Sequence, residues 1–279
     1  MNTEPFGYCL NTSTIRGQKL SLIEEIEIAA RAGYGAIEPW ISEIDRYVAE
    51  GGALSELKTR IDDAGLTVEG AIGFFDWIVD DDVARDEALE EARRNMDLLA
   101  QIGGKRLAAP PQGAIDRADI DLLQAAERYR ALLEIGEQYG VVPMVEVWGF
   151  SQTLGRLGEA ALVAMESGHP DACILADVYH LHKGGSPASG LRLLNGAKMH
   201  VFHVNDYPAA PPREQIKDEH RVYPGDGVAP LAEIFRTLES IGFRGVLSLE
   251  LFNPTYWQQD AFTVAKTGLD KLRAVVQGA

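Results

Sequence analysis

Eight short apolar runs, rich in β-branched residues, recur along the chain at residues 6–10, 36–40, 67–74, 106–109, 141–148, 173–178, 199–204 and 246–252. Runs of this length without polar alternation suit parallel strands covered on both faces. Between them the period changes. Leu20, Ile23, Ile26 and Ala30 fall three and four residues apart, as do Met96, Leu99 and Ile102, and Leu231, Ile234, Leu238 and Ile241. That spacing lays one apolar stripe along each helix. Ser21 and Asp119 stand where helix N-caps belong, and Gly33, Gly65, Gly140 and Gly242 stand where helices end in a left-handed residue. A strand begins within a few residues of such a glycine, the habit of a βα repeat. The unit after the sixth strand is the weak one, because its helix at 190–194 is short and Gly184, Gly185 and Pro187 crowd its start.

Eight βα units in one chain predict an α/β fold, a single (β/α)8 TIM barrel over residues 1–279. No linker, low-complexity tract or break in composition divides the sequence, so one domain is expected. The connection 206–230 is too long for simple joinery. Structureless loops beyond about 12–15 residues are usually functional or disordered. On a barrel this one follows strand seven at the C-terminal face, where active sites sit. It reads as a lid or substrate clamp, with a floppy insertion as the alternative.

Composition narrows the function classes. With 46% hydrophobic and 24% charged residues the chain can bury a large core. A net charge of −16 argues against nucleic acid and against an anionic membrane surface, both of which need a basic footprint. Met1 to Phe6 carry no basic start, and no apolar run reaches the roughly 18 residues of a membrane span, so the protein is expected to be cytoplasmic. Cys9 and Cys173 sit inside strand-like runs and read as buried free thiols of a reducing compartment. An acidic surface leaves monomer and homo-oligomer equally open.

Four late strands each deliver a ligand-type residue near their C-terminal ends: Glu146, Asp177, His203 and Glu250. Acids flanked by apolar strand neighbours have no cheap structural place, since an unpaired carboxylate in a core costs several kcal/mol. Three carboxylates about 5 Å apart repel by roughly 3 kcal/mol per pair at an effective dielectric near 20. One divalent cation reverses that sign. Oxygen ligands with one imidazole suit Mn²⁺, Mg²⁺, Co²⁺ or Zn²⁺, and the lack of thiolates argues against a structural zinc. For any one acid alone the alternative is a salt bridge to a nearby Arg or Lys.

Other residues carry less. His180, just past Asp177, is a candidate to bind a substrate oxygen or a plain loop histidine. Arg221, beside a Pro-Gly turn in the long connection, folds over a polyol or carbonyl oxygen, or else pairs with Asp218 or Glu219. Glu38 faces either the pocket or an arginine behind it. Trp40, Phe74, Trp148 and Phe252 wall a pocket or belong to the core. His169 and His200 read as structural and His182 as solvated.

The order Glu146, Asp177-x-x-His180, His203-x-Asn-Asp, Arg221-x-x-Pro-Gly-x-Gly and Ser-Leu-Glu250-Leu-Phe resembles the sugar phosphate isomerase/epimerase family of xylose isomerase-like barrels. Within it, the stretch 218–256 is similar to bacterial inosose isomerases of myo-inositol catabolism. The resemblance implies a metal held by Glu146, Asp177, His203 and Glu250, with Glu146 and Glu250 as the acid–base pair on opposite sides of the substrate. It also implies that His180 and Arg221 hold substrate oxygens, and that the reaction passes through a metal-stabilised cis-enediolate. A carbohydrate or cyclitol is the expected small-molecule substrate. No basic cluster suited to a phosphate is found, which favours a neutral keto-sugar or inosose. The same enolate also serves a lyase that expels a β-leaving group, either a dehydratase or a keto-glycoside eliminating enzyme. A DNA-repair nuclease on this barrel would need many more histidines than the six present and a basic stripe. A non-catalytic sugar-binding barrel is disfavoured by the intact ligand set.

Overall fold

In a computed structural model, which describes residues 5–279, the eight apolar runs form eight parallel strands. The first four residues, part of the stretch expected to lack a leader, lie outside the described residues. In chain order the elements are β1 (Gly7–Asn11), α1 (Leu22–Ala32), β2 (Ala36–Glu38), α2 (Ile41–Ala49), α3 (Leu54–Asp63), β3 (Thr67–Val68), α4 (Asp82–Gln101) and β4 (Arg106–Ala109). They continue as α5 (Leu122–Tyr139), β5 (Val142–Glu146), α6 (Leu157–Glu166), β6 (Ile174–Asp177), α7 (Val178–Lys183), β7 (Val201–Val204), α8 (Leu231–Ser240), β8 (Val246–Leu249) and α9 (Ala261–Gln277).

The strands hydrogen-bond in the order β3-β2-β1-β8-β7-β6-β5-β4. The two outer strands then meet. Ala71, just past β3, receives the Ala108 N–H at 2.9 Å and donates its own N–H to Arg106 O at 3.0 Å, which closes the sheet into a TIM barrel. Ile72, Ala108, Met144, Cys173, Leu175 and Val201 fill the interior, and a larger cluster packs strands against helices. Cys9 and Cys173 are free and buried, as expected. No helix among the described residues is long and apolar enough to cross a membrane.

Local chemistry explains where the elements stop. Ser21 caps α1 in a reciprocal capping box with Glu24, and Gly33 ends it at φ 100°. α5 is capped by Asp121, not Asp119, because Arg117 engages the Asp119 carboxylate while Asp121 Oδ1 takes the N–H groups of Leu123 and Gln124. Two helices, not one, follow β2, since Gly51 at φ 94° breaks the pattern. β3 is two residues long where a longer strand is expected, and regular strand stops before Gly70. The segment at 190–194 falls in a 3-10 turn, Ala188–Leu193, and the α-helix of this unit instead starts directly on β6 as α7.

The long connection is folded, not floppy. Asp206 and Val222 exchange backbone hydrogen bonds at 2.9 Å in both directions. The Asp206 carboxylate collects four more N–H groups, from Tyr207 and Ala229 at Oδ1 and from Gly225 and Gly227 at Oδ2, all at 2.8–3.1 Å. Gly225 needs no side chain to reach φ 88°, and a Cβ on Gly227 would lie 2.3 Å from Asp206 Oδ1. The result is a stapled loop whose Arg221 is buried against the barrel mouth.

Candidate active site

Strand register brings the polar residues to one layer. β6 pairs Asp177 with His203, β7 pairs His203 with Ser248, and β1 pairs Asn11 with Glu38. Glu38, Glu146 and Asp177 are each the last residue of a strand, and Glu250 follows β8 directly. All lie at the C-terminal face, and all are buried. One ligand-type atom from each of Asp177, His203 and Glu250 falls within 4.8 Å of the others. Glu146 stands outside that mutual distance and lines the same cavity as Glu250, so three of the four expected ligands are brought together and the fourth lies on the neighbouring strand β5.

The carboxylates are unlike in charge state. Burial pushes Glu146 up to about 8, with Glu250 and Asp177 adding repulsion against the pull of His203. Its Oε2 is buried without a hydrogen-bond partner. Burial acts the same way on Glu250, but His203 and Arg221 overwhelm it and hold that carboxyl well below its usual range. Arg221 Nη1 reaches Glu250 Oε2 at 2.7 Å and Asp177 Oδ2 at 3.1 Å, while its other terminal nitrogen pairs with Asp218. The arginine lines the cavity and pairs with Asp218, the pairing expected of the second reading. Burial works against the His203 imidazolium, yet Glu250 and Glu38 on either side hold its pKa well above the ordinary value.

Glu38 faces neither the cavity nor an arginine. Its Oε2 accepts from Asn11 Nδ2 at 3.0 Å and Ser248 Oγ at 2.7 Å and lies 2.9 Å from His203 Nε2. Asn205 donates to Asp177 Oδ2 at 2.9 Å, and Asp177 Oδ1 caps α7 by accepting the His180 N–H at 2.7 Å. That cap turns His180 back over the mouth, buried, with burial lowering its pKa. Its Nδ1 faces the Gly149 N–H at 3.2 Å and its Nε2 faces the Arg221 guanidinium at 3.1 Å, so both ring nitrogens meet donors. A neutral ring accepts from only one of them, and with its proton on Nε2 an acceptor oxygen bridging ring and guanidinium would satisfy both.

The cavity holds about 230 Å³. The four expected aromatics line it, joined by Phe150, which lies outside the apolar runs and gives no sequence signal. Trp40, Phe74, Trp148 and Phe150 stand tilted in succession, 5.2–5.9 Å between centroids. His182 is half-buried and stacked on Tyr207 at 3.9 Å, where full solvation is expected. A second carboxylate–histidine group, Glu137, His169 and Asp171, does not offer a free ligand atom at its imidazole. His169 Nδ1 accepts from Asp171 N, leaving the ring proton on Nε2 toward Glu137 Oε1 at 3.2 Å.

The residues fit a divalent cation. Two carboxylates and an imidazole converge without a thiolate, and His203 Nδ1 lies 3.2 Å from Glu250 Oε2 without hydrogen-bond geometry. A cation shared by the two atoms would account for that closeness.

Known proteins share this architecture. The chain is 30% identical over 200 residues to an inosose isomerase of Bacillus licheniformis, covering 70% of this chain and 71% of that one. It is 25% identical to a 3-dehydroshikimate dehydratase of Pseudomonas putida, over 92% of this chain but 39% of that longer protein. A crystal structure of IOLI protein with a zinc atom superposes with a TM-score of 0.90 over 98% of each chain at 23% identity, a likeness of fold. The family model described as xylose isomerase-like TIM barrel matches residues 26–275, and the chain belongs to that family.

Proposed function

We propose that this protein is a divalent-metal-dependent isomerase or epimerase of a neutral keto-sugar or keto-inositol, working by proton abstraction next to a carbonyl. The observation that carries the reading is the gathering of ligand atoms from Asp177, His203 and Glu250 within 4.8 Å of one another, with Glu146 on the lining of the adjoining aromatic-walled cavity. These four residues are the ones that would hold the cation. When bound, a divalent cation supplies Lewis acidity where negative charge develops on a carbonyl oxygen.

The chain's own groups do the rest. Glu250, kept ionised by His203 and Arg221, is the acceptor for a proton α to the carbonyl. Glu146 returns a proton to the substrate, completing a pair of carboxyls that runs base and acid chemistry in one site. The His180 Nε2–H and the Arg221 guanidinium bind one substrate oxygen between them. Five aromatic rings exclude water and accept the apolar face of a ring or chain of CHOH groups. Arg221 is the single cation among the described cavity-lining residues, and three carboxylates already engage it, which supports an uncharged substrate over a phosphorylated one.

A lyase reading keeps the same proton abstraction and is favoured by the dehydratase relative. Proton NMR in D2O, with Mn²⁺-treated protein and a panel of ketoses, inososes and 3-keto-glycosides, separates the outcomes. Solvent deuterium beside the carbonyl with a new isomer supports the isomerase. Exchange with loss of water or an aglycone supports the lyase. Silence across ketoses, inososes and 3-keto-glycosides, in protein that holds metal, overturns both.

A further inference from the structure

Glu38 is fully buried at the end of β2, and among the described residues no lysine or arginine pairs with its carboxylate. Its charge is met by three donors on a single oxygen. Asn11 comes from β1, Ser248 from β8 and His203 from β7, so side chains from three strands converge on Oε2. A carboxylate only accepts, so the His203 nitrogen facing it must carry hydrogen. With a cation bound, the opposite ring nitrogen, Nδ1, is then the one that gives up its proton and offers its lone pair. That atom is buried, lacks a hydrogen-bond partner, and lies 3.2 Å from Glu250 Oε2 in the cluster with Asp177.

Glu38 is also held from behind. A Cβ on Gly70 would come within 2.5 Å of its Oε1, so residue 70 leaves room for this carboxylate and nothing more. Asn11 Nδ2 in addition lies 3.3 Å from Glu250 Oε1, which ties the carboxylate behind His203 to the one in front.

We propose that Glu38 is a positioning residue for the metal: it fixes His203 as the Nε2–H tautomer and aims Nδ1, together with Asp177 and Glu250, at one cation. The inference rests on the metal-dependent reading above and adds to it a residue outside the ligand set. A carboxylate behind a ligating imidazole sets the ring's orientation and strengthens it as a donor, and losing one weakens metal affinity by about 10–100-fold.

The test uses the full chain and zinc alone, with affinity read by competition against a chelating dye and folding checked by thermal unfolding of the metal-free proteins. Glu38→Gln keeps the shape but removes the charge, and should weaken zinc binding by roughly 10-fold or more. Gly70→Ala leaves every polar group in place but pushes on Oε1, and should weaken it in the same direction. In the zinc-loaded wild type, ¹⁵N NMR of the imidazole should show a protonated Nε2 and a metal-shifted Nδ1 at His203. That readout needs no variant and stands even where Glu38→Gln does not fold. Zinc on Nε2, or wild-type affinity in a folded Glu38→Gln, overturns the role of Glu38 while leaving the metal site intact. Failure of the wild type to bind zinc, manganese or cobalt overturns the metal reading and this inference with it.

Discussion

Replacing Asp206 by Asn tests whether the 206–230 connection is held by one side chain. In the wild type each carboxylate oxygen accepts two backbone N–H groups of the loop. The amide keeps one acceptor and turns an NH2 toward two N–H donors, those of Gly225 and Gly227 or those of Tyr207 and Ala229. Two charge-assisted bonds at about 1.5 kcal/mol each put the loss near 3 kcal/mol. The loss is local, because the carboxylate bonds only to this connection. At about 1.4 kcal/mol per factor of ten, local opening of the loop should become roughly 100-fold more frequent. Hydrogen exchange at the Val222 amide reports this cleanly, since it bonds the backbone of residue 206 and not its carboxylate. Strand amides such as that of Phe202 should keep their protection. Substrate KM should rise, because Arg221 rides on the loosened connection. Wild-type exchange at Val222 in Asp206→Asn would show that packing of Tyr207, Ile216 and Tyr223 holds the loop instead.

Other outcomes follow from the same geometry. Glu146→Gln should lower turnover by roughly 10²–10⁴-fold with the fold intact, and full activity in the D2O assay would remove it from the acid–base role. Gly149→Ala should destabilise by about 1–3 kcal/mol in thermal unfolding and weaken substrate binding, because a Cβ there would meet backbone at His180 O and Gly184 N, 2.2 and 2.6 Å away; an unshifted melt refutes it. Glu25 is buried, with burial first and Glu43 second raising its pKa. The folded state therefore holds a proton that the unfolded state has already released, so stability falls as pH rises from the usual carboxylate range toward the raised value. Glu25→Gln should flatten that fall, and melting curves that stay parallel to wild type across pH contradict it. Zinc or manganese at about 100 times its Kd should stabilise the protein by about 2.7 kcal/mol against chelator-treated protein, with no shift being the contrary result.

How much of this was legible beforehand depended on distance along the chain. The strand-end acids stood out because a charged residue inside an apolar run is an anomaly wherever it occurs. Glu38 was anomalous by the same rule, but its partner His203 lies 165 residues away and only strand register joins them. Asn11 and Ser248 gave no signal, since small polar residues end many strands. The choice between Asp119 and Asp121 as the α5 cap turned on Arg117, a competition between neighbours that composition does not resolve. His180 was placed past the end of β6, yet a cap by Asp177 folds it onto a helix turn and into the mouth. The second helix after β2 escaped the eight-unit reading, since its break rests on Gly51 at φ 94°.

The closure of the barrel has a bearing on its synthesis. β1 is laddered to β8 through four residue pairs from Gly7–Val246 to Leu10–Leu249, whereas β3 and β4 share a single bridged pair, Ala71 with Leu107. On a ribosome, β2 through β7 can associate with sequence neighbours as they emerge, but β1 waits for a strand made almost at the end. The first strand spends translation with an unsatisfied edge, and Asn11, at its tip, reaches Glu250 only once that edge is filled. The pocket is therefore among the last parts of the molecule to exist, and a nascent chain cut short before β8 can neither close its cylinder nor assemble a site to act with.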